Sequence, residues 1–171
     1  MTIATSYSLE NINAMSTDDF VEAFGAIYEH SPWVAERAAA ERPFASIDEM
    51  RRVMQSAVAT TAPDVQLALI CSHPQLQGRA AETLTADSMS EQRSAGLDQC
   101  SPEEVEELAA LNGAYRDKFG FPFVIAVRGL TRHDIIEELA RRLGNDRDVE
   151  FHACLLQIYK IAELRIAILT H

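Results

Sequence analysis

Three short sequences with serine followed three residues later by an acidic residue constrain the fold more than any other feature. They are Ser16–Asp19, Ser46–Glu49 and Ser101–Glu104. This pattern marks a helix start, because the serine hydroxyl accepts a hydrogen bond from an amide in the first turn. Ser31-Pro32 and Ser101-Pro102 also place proline where the first helical residue is expected. The sequence therefore predicts several helices with defined starts.

Apolar residues recur at helical spacing after these starts. One face is predicted to hold Phe20, Phe24, Ile27 and Tyr28, and another Val105, Leu108, Ala109, Leu111 and Tyr115. The segment Val149–Leu169 predicts a long, largely buried helix around Phe151, Leu155, Ile158, Ile161, Ala162, Arg165 and Ile168. Gly144-Asn145 is expected to close the helix before it.

The best candidate for a β-strand is the apolar segment Phe121–Val127. It stands alone after Gly120 and contains Pro122, so we expect an extended loop or a short helix there. No internal repeat, low-complexity segment or linker divides the chain. These patterns predict one all-α domain over residues 1–171, built as a bundle of about eight helices.

The charge balance limits the class of ligand. The chain has 26 acidic and 15 basic side chains, a formal net charge of −11, and no dense basic stripe, which argues against nucleic acid as a partner. A small anion remains possible, because one buried arginine can set the local potential of a pocket. Three irregularly spaced cysteines, no signal peptide and no membrane-spanning segment predict a cytoplasmic protein.

His73 is the first candidate for chemistry. An apolar helix runs into Ser72-His73-Pro74, and the proline disfavours helical geometry at His73, which is expected to end that helix. An imidazole with its ordinary pKa can donate or accept a proton near neutral pH. The alternative is a structural histidine that caps the helix.

Two further polar features have both a functional and a structural interpretation. The segment Thr85–Gln92 could line a polar pocket, or could be an N-cap followed by an acidic first turn. Arg165, among apolar neighbours in the last helix, could bind a substrate carboxylate. It could equally form an internal salt bridge or extend its charge to the surface.

Metal and thiol chemistry are the remaining alternatives. The five histidines form no HxxxH or HExxH pair, which weakens a metal-dependent hydrolase as an interpretation. Cys71 lies two residues before His73 and could suggest a nucleophile, but we expect a buried, inert thiol.

An ordered series of residues resembles one family, the OHCU decarboxylases. The series is His73-Pro74, Thr85, Ser88, Glu91-Gln92, Ala95-Gly96-Leu97, Leu111-Asn112, Tyr115, Lys118–Phe123, Lys160-Ile161-Ala162 and Leu164-Arg165. Members act on 2-oxo-4-hydroxy-4-carboxy-5-ureidoimidazoline (OHCU), an unstable intermediate between urate and (S)-allantoin. The resemblance covers nearly the whole chain and implies an all-α homodimer that needs no cofactor.

The resemblance also implies site residues. His73 corresponds to the catalytic histidine, Glu91 to an essential carboxylate and Arg165 to the arginine associated with the substrate carboxylate. The implied substrate contacts are Pro74, Ser88, Met89, Ser90, Glu91, Gln92, Phe123, Val124, Ile125, Ala126, Val127 and Arg165. A helical module that binds a protein partner is the rival interpretation from another class, and it predicts an exposed apolar patch instead of a polar site.

Overall fold

The computed structural model describes residues 5–76 and 84–171. Over these residues the chain forms α1 (Leu9–Ala14), α2 (Thr17–Phe24), α3 (Trp33–Ala39), α4 (Ile47–Ala59), α5 (Pro63–Ser72), α6 (Ala86–Ser94), a 3₁₀ helix (Leu97–Gln99), α7 (Pro102–Phe119), α8 (Arg132–Arg142) and α9 (Arg147–Leu169). In the described residues the only β pairing is an isolated bridge between Tyr7 and Thr170. The all-α prediction is confirmed, with nine α-helices in the described residues where about eight were expected.

The three serine-based helix starts are confirmed. Ser16, Ser46 and Ser101 are the N-caps of α2, α4 and α7, and each hydroxyl accepts a hydrogen bond from the amide three residues later. Ser101 and Glu104 form the full reciprocal capping box. The proline in Ser31-Pro32 differs from the prediction, because α3 begins at Trp33 and Pro32 is its N-cap.

The chain divides into two compact units, one of Met1–Leu69 with Tyr159–His171 and the other of Ile70–Ile158. In the first unit, α2 and α4 both pack against α3. Helix α2 ends at Phe24, so Ile27 and Tyr28 lie beyond the predicted helical face, although both are buried. In this unit the Tyr7 amide donates to the Leu169 carbonyl at 2.8 Å.

In the second unit, α7 packs against α8. The helix is where the sequence placed it, but its buried face is Leu108, Asn112, Tyr115 and Phe119, and Ala109 is exposed. Tyr115 lies among aromatic rings, with ring centres 4.5 Å from Phe119 and 5.4 Å from Phe123. This aromatic cluster brings the segment after α7 against the helix.

Helix α9 contributes residues to both units. It begins two residues earlier than predicted, and most of the predicted face is buried. Ile168 is an exception, because it is 61% exposed near the end of the helix. None of the helices in the described part of the chain is long and apolar enough to cross a membrane.

Candidate functional site

His73 lies directly after the last residue of α5, as predicted. Its amide donates to the Ile70 carbonyl at 3.2 Å, and the residue is only 7% exposed. Cys71 was expected to be buried, and that prediction is wrong: α5 turns Leu69 and Ile70 into the core, and Cys71 falls on the exposed side. The imidazole, and not the thiol, is the buried reactive group at this helix end.

The main chain after His73 is held by two side-chain amides. Gln92 Nε2 donates to the Gln75 carbonyl at 3.3 Å, and Asn112 Nδ2 donates to the Leu76 carbonyl at 2.7 Å. Asn112 Oδ1 is buried and has no hydrogen-bond partner among the described residues. The His73 segment is therefore attached to both α6 and α7 within one unit.

Helix α6 carries the polar segment Thr85–Gln92. Thr85 is its N-cap, with a hydroxyl that accepts a hydrogen bond from the Ser88 amide at 3.3 Å, and Asp87 lies in the first turn. The predicted N-cap with an acidic first turn is therefore confirmed. Ser88 and Gln92 are also buried, whereas Met89 and Glu91 are partly exposed and Ser90 is exposed. Thr85 thus caps α6, and the same helix carries two buried polar side chains.

The segment Phe123–Val127 lies outside helices and strands, which confirms the expected loop. The Val124 carbonyl accepts from Arg142 Nη1 at 2.8 Å, and the Ala126 amide donates to Gln157 Oε1 at 3.0 Å. In extended backbone, the polar groups of residues two apart point to the same side and those between them to the other. No hydrogen bond to the described residues involves the N–H or C=O of Ile125.

A buried ionic cluster contacts the segment Phe123–Val127. Arg142 Nε donates to a Glu150 carboxylate oxygen at 2.9 Å, and the Arg142 guanidinium lies 4.5 Å from the centre of the Phe123 ring. The hydroxyl of Tyr115 and the amide of Asn145 also donate to Glu150. Burial alone would raise the pKa of Glu150, but hydrogen bonds from Arg142, Tyr115 and Asn145 outweigh it and lower that pKa.

The cluster also contains the Tyr115 hydroxyl and the Cys154 thiol, whose pKa values shift in the direction opposite to that of Glu150. Burial raises the pKa of the Tyr115 hydroxyl far above its ordinary value and also raises that of the Cys154 thiol. Both groups therefore stay protonated at neutral pH. The cluster is a fixed arrangement of one cation, one anion and neutral hydrogen-bond donors.

Arg165 is buried in the first unit and is paired with Glu29. Its Nη1 lies 2.9 Å from a Glu29 carboxylate oxygen, and the two side chains are 5% and 1% exposed. The same nitrogen lies 3.4 Å from the carbonyls of Ala26 and Ile27. The internal salt bridge that the sequence left open is thus present, with Glu29 as the partner.

Most predicted site residues lie in one unit. His73, Pro74, the α6 residues and Phe123–Val127 belong to Ile70–Ile158, whereas Arg165 belongs to the other unit. The contributions of Asn112, Arg142, Glu150 and Gln157 were not predicted. For Arg142 a signal was present, because it follows Ile135 and Leu139 on the buried face of α8.

Comparisons with known proteins agree with one another. The family model described as OHCU decarboxylase matches residues 13–167. The chain is 44% identical over 160 residues to 2-oxo-4-hydroxy-4-carboxy-5-ureidoimidazoline decarboxylase of Haloferax volcanii, covering 94% of each protein.

Two further relatives are longer than this chain. It is 42% identical over 161 residues to the uric acid degradation bifunctional protein PucL of Bacillus subtilis, covering 94% of this chain and 32% of that protein. A crystal structure of (S)-allantoin synthase superimposes with a TM-score of 0.75 at 30% identity, covering 94% of this chain and 52% of that one. The chain thus spans about a third of one relative and about half of the other.

Proposed function

Because the chain belongs to the OHCU decarboxylase family, we propose that it decarboxylates OHCU to (S)-allantoin and carbon dioxide, the last step in converting urate to allantoin. One observation of the structure supports this proposal most. The buried His73 lies at the end of α5, and the segment that follows it is hydrogen-bonded to Gln92 of α6, next to Glu91. A proton-transfer group and a carboxylate-bearing helix thus belong to one connected part of the molecule.

The substrate can supply the electron sink that decarboxylation requires. The carbon that carries the carboxylate also carries a hydroxyl and adjoins a ring C=N bond. When the C–C bond to the carboxylate breaks, its electrons form a C=C bond, and the C=N electrons move to nitrogen, which takes a proton. The enol then loses its hydroxyl proton while another proton arrives at the ureido-bearing carbon, which leaves the ring amide carbonyl of allantoin. The enzyme must therefore move protons and orient the substrate.

We assign proton transfer to His73. An imidazole can serve as acid or base near neutral pH, and burial keeps bulk water away from the proton in transit. Glu91, partly exposed on α6, is assigned to orient the imidazole or to bind the substrate. Ser88 and Gln92 are buried on the same helix and supply polar groups suited to a ring rich in N–H and C=O.

We assign Arg165 to orientation of the substrate carboxylate. Holding the carboxylate tightly would not speed the reaction, because stabilising the ground state alone leaves the barrier unchanged. Setting the scissile bond perpendicular to the ring does lower the barrier. Glu29 supports this role, because its carboxylate holds the Arg165 guanidinium in place at 2.9 Å.

Within Phe123–Val127, the main chain of Ile125 is the group best suited to bind the substrate. The Val124 carbonyl and the Ala126 amide are both bonded to side chains of α8 and α9. The N–H and C=O of Ile125 take part in no hydrogen bond with the described residues. One donor and one acceptor of a single residue match the edge of a ureido group or of the imidazoline ring.

The test is the pair His73→Asn and His152→Asn, assayed on OHCU generated in solution. His152 is an exposed histidine on α9 and serves as the matched control. We expect His73→Asn to keep the circular dichroism spectrum and to lose at least about a hundredfold in rate, the usual scale of acid–base catalysis. Turnover close to the wild type in a folded His73→Asn protein would rule out the assigned role.

We further propose a cytoplasmic homodimer. The support is the family resemblance for the dimer and the three free cysteines for the cytoplasm. Light scattering of the purified protein at micromolar concentration is expected to give twice the monomer mass of 19.0 kDa. A monomer mass throughout that range would contradict the proposal.

A further inference from the structure

Gln157 lies on α9, was not among the predicted site residues and has no role in the proposed mechanism. It is partly exposed, and its Oε1 accepts a hydrogen bond from the Ala126 amide at 3.0 Å, across 31 residues of chain. We infer that Gln157 is a positioning residue that fixes the main chain of Phe123–Val127 so that Ile125 meets the substrate. This inference rests on the proposed function.

The two ends of this segment are held by different kinds of contact. At the upstream end, Arg142 bonds the Val124 carbonyl and lies over the Phe123 ring, and Arg142 is itself held by Glu150. That end is fixed by a buried ionic cluster. At the downstream end, the Ala126 amide donates one neutral hydrogen bond to a partly exposed side chain, that of Gln157.

The contrast identifies Gln157 as the residue that sets the position of Ile125. With Val124 fixed, the peptide groups of Ile125 can still rotate unless the next amide, that of Ala126, is also held. The bond to Gln157 supplies this second point. A single neutral hydrogen bond at a partly exposed position adds little to folding stability, so its main effect falls on the geometry of the segment.

The test compares Gln157→Glu with Gln157→Met. Glutamate keeps an acceptor oxygen at the same distance along the side chain, whereas methionine keeps the length and removes the acceptor. We expect Gln157→Met to raise KM for OHCU about tenfold, with kcat changed by less than about threefold, because a contact made equally in ground and transition states is lost. Gln157→Glu is expected to restore KM to within about threefold of the wild type.

The inhibition constant of (S)-allantoin provides a second measurement. It is expected to rise in Gln157→Met by the same factor as KM, since the product presents the same ureido group. A matched control is Gln66→Met, which removes a comparable side-chain bond to the carbonyl of Val58. That control is expected to leave KM unchanged, even where it lowers the melting temperature.

The outcomes separate this inference from the proposed function. If the wild type turns over OHCU and Gln157→Met has a wild-type KM, the inference is wrong and the proposed function stands. If Gln157→Glu and Gln157→Met raise KM equally, the acceptor is not what matters and the inference is also wrong. If the wild type does not accelerate the reaction at all, the proposed function itself fails.

Discussion

Among the described residues, two buried arginine–glutamate pairs occur, one in each unit, and they differ in the sequence separation of their partners. The three guanidinium nitrogens of Arg142 have different partners. Nε donates to the Glu150 carboxylate, Nη1 to the Val124 carbonyl and Nη2 to the Cys154 sulfur. In the pair of Arg165 and Glu29, Nη1 makes the ionic contact at 2.9 Å, and its contacts to two carbonyls are longer, at 3.4 Å. Both pairs therefore join a buried cation to a buried anion.

The two pairs differ in how far apart their partners lie in the sequence. Arg142 and Glu150 are eight residues apart, and Asn145 between them also bonds the carboxylate, so much of the cluster is local in sequence. Its bond to Val124 holds a loop in place. Arg165 and Glu29 are 136 residues apart, so their pair joins distant parts of the sequence. The proposed function gives Arg165 the orientation of the substrate carboxylate, whereas Arg142 holds a loop.

The largest expected effect is on the folding stability of the Arg142 pair. Arg142→Met leaves the Glu150 carboxylate buried without its cation, and we expect the free energy of unfolding in urea to fall by about 3–5 kcal/mol. Adding Glu150→Leu to the same chain is expected to recover much of that loss, because the unpaired charge is then removed. A loss below about 1 kcal/mol in the single variant would show that the two pairs do not differ in this way.

A smaller effect, on catalysis, is expected for the Arg165 pair. Arg165→Lys keeps a positive charge near Glu29 but loses the planar fork of the guanidinium. We expect kcat/KM to fall about 10- to 150-fold, the equivalent of roughly 1.5–3 kcal/mol for a charged hydrogen bond, with kcat falling at least as much as KM rises. Unfolding in urea should change much less. If stability and activity fell in proportion, Arg165 would be structural, like Arg142.

The smallest effect expected is a pH dependence specific to Glu150. Its folded-state pKa is lowered, so its contribution to stability is fully present above the ordinary glutamate pKa of about 4.3 and is lost as pH falls through the folded value. Unfolding in urea between pH 6 and pH 3 should show a steeper acid loss in the wild type than in Glu150→Gln. Because exposed carboxylates titrate in both proteins, parallel curves would contradict the lowered pKa.

The helices were largely predictable because the residues that mark each helix start lie within one turn of it. A serine hydroxyl and an acidic residue within one turn determine where α2, α4 and α7 begin. The start of α1 was missed although Ser8 forms a full capping box, because its third residue is Asn11 rather than an acidic residue. Helix ends were less predictable, and the burial of Ile27 beyond α2 depends on tertiary packing.

The site was predictable only where the family pattern named its residues. His73 and the α6 segment were identified, whereas the contacts that hold them were not, since a bond such as Asn112 to Leu76 joins residues 36 apart. Adjacent arginines show the same limit. Arg141 is 63% exposed and Arg142 is 3% exposed. Only their positions around the helix distinguish them, because Arg142 lies on the same buried face as Leu139.

The most direct test of the central claim is the optical activity of the product formed by the wild-type protein. OHCU decays unaided to racemic allantoin, so circular dichroism during the reaction distinguishes catalysis from decay. The account predicts that catalytic amounts of protein give (S)-allantoin in large excess, faster than the background reaction. Racemic allantoin formed at the background rate would contradict it.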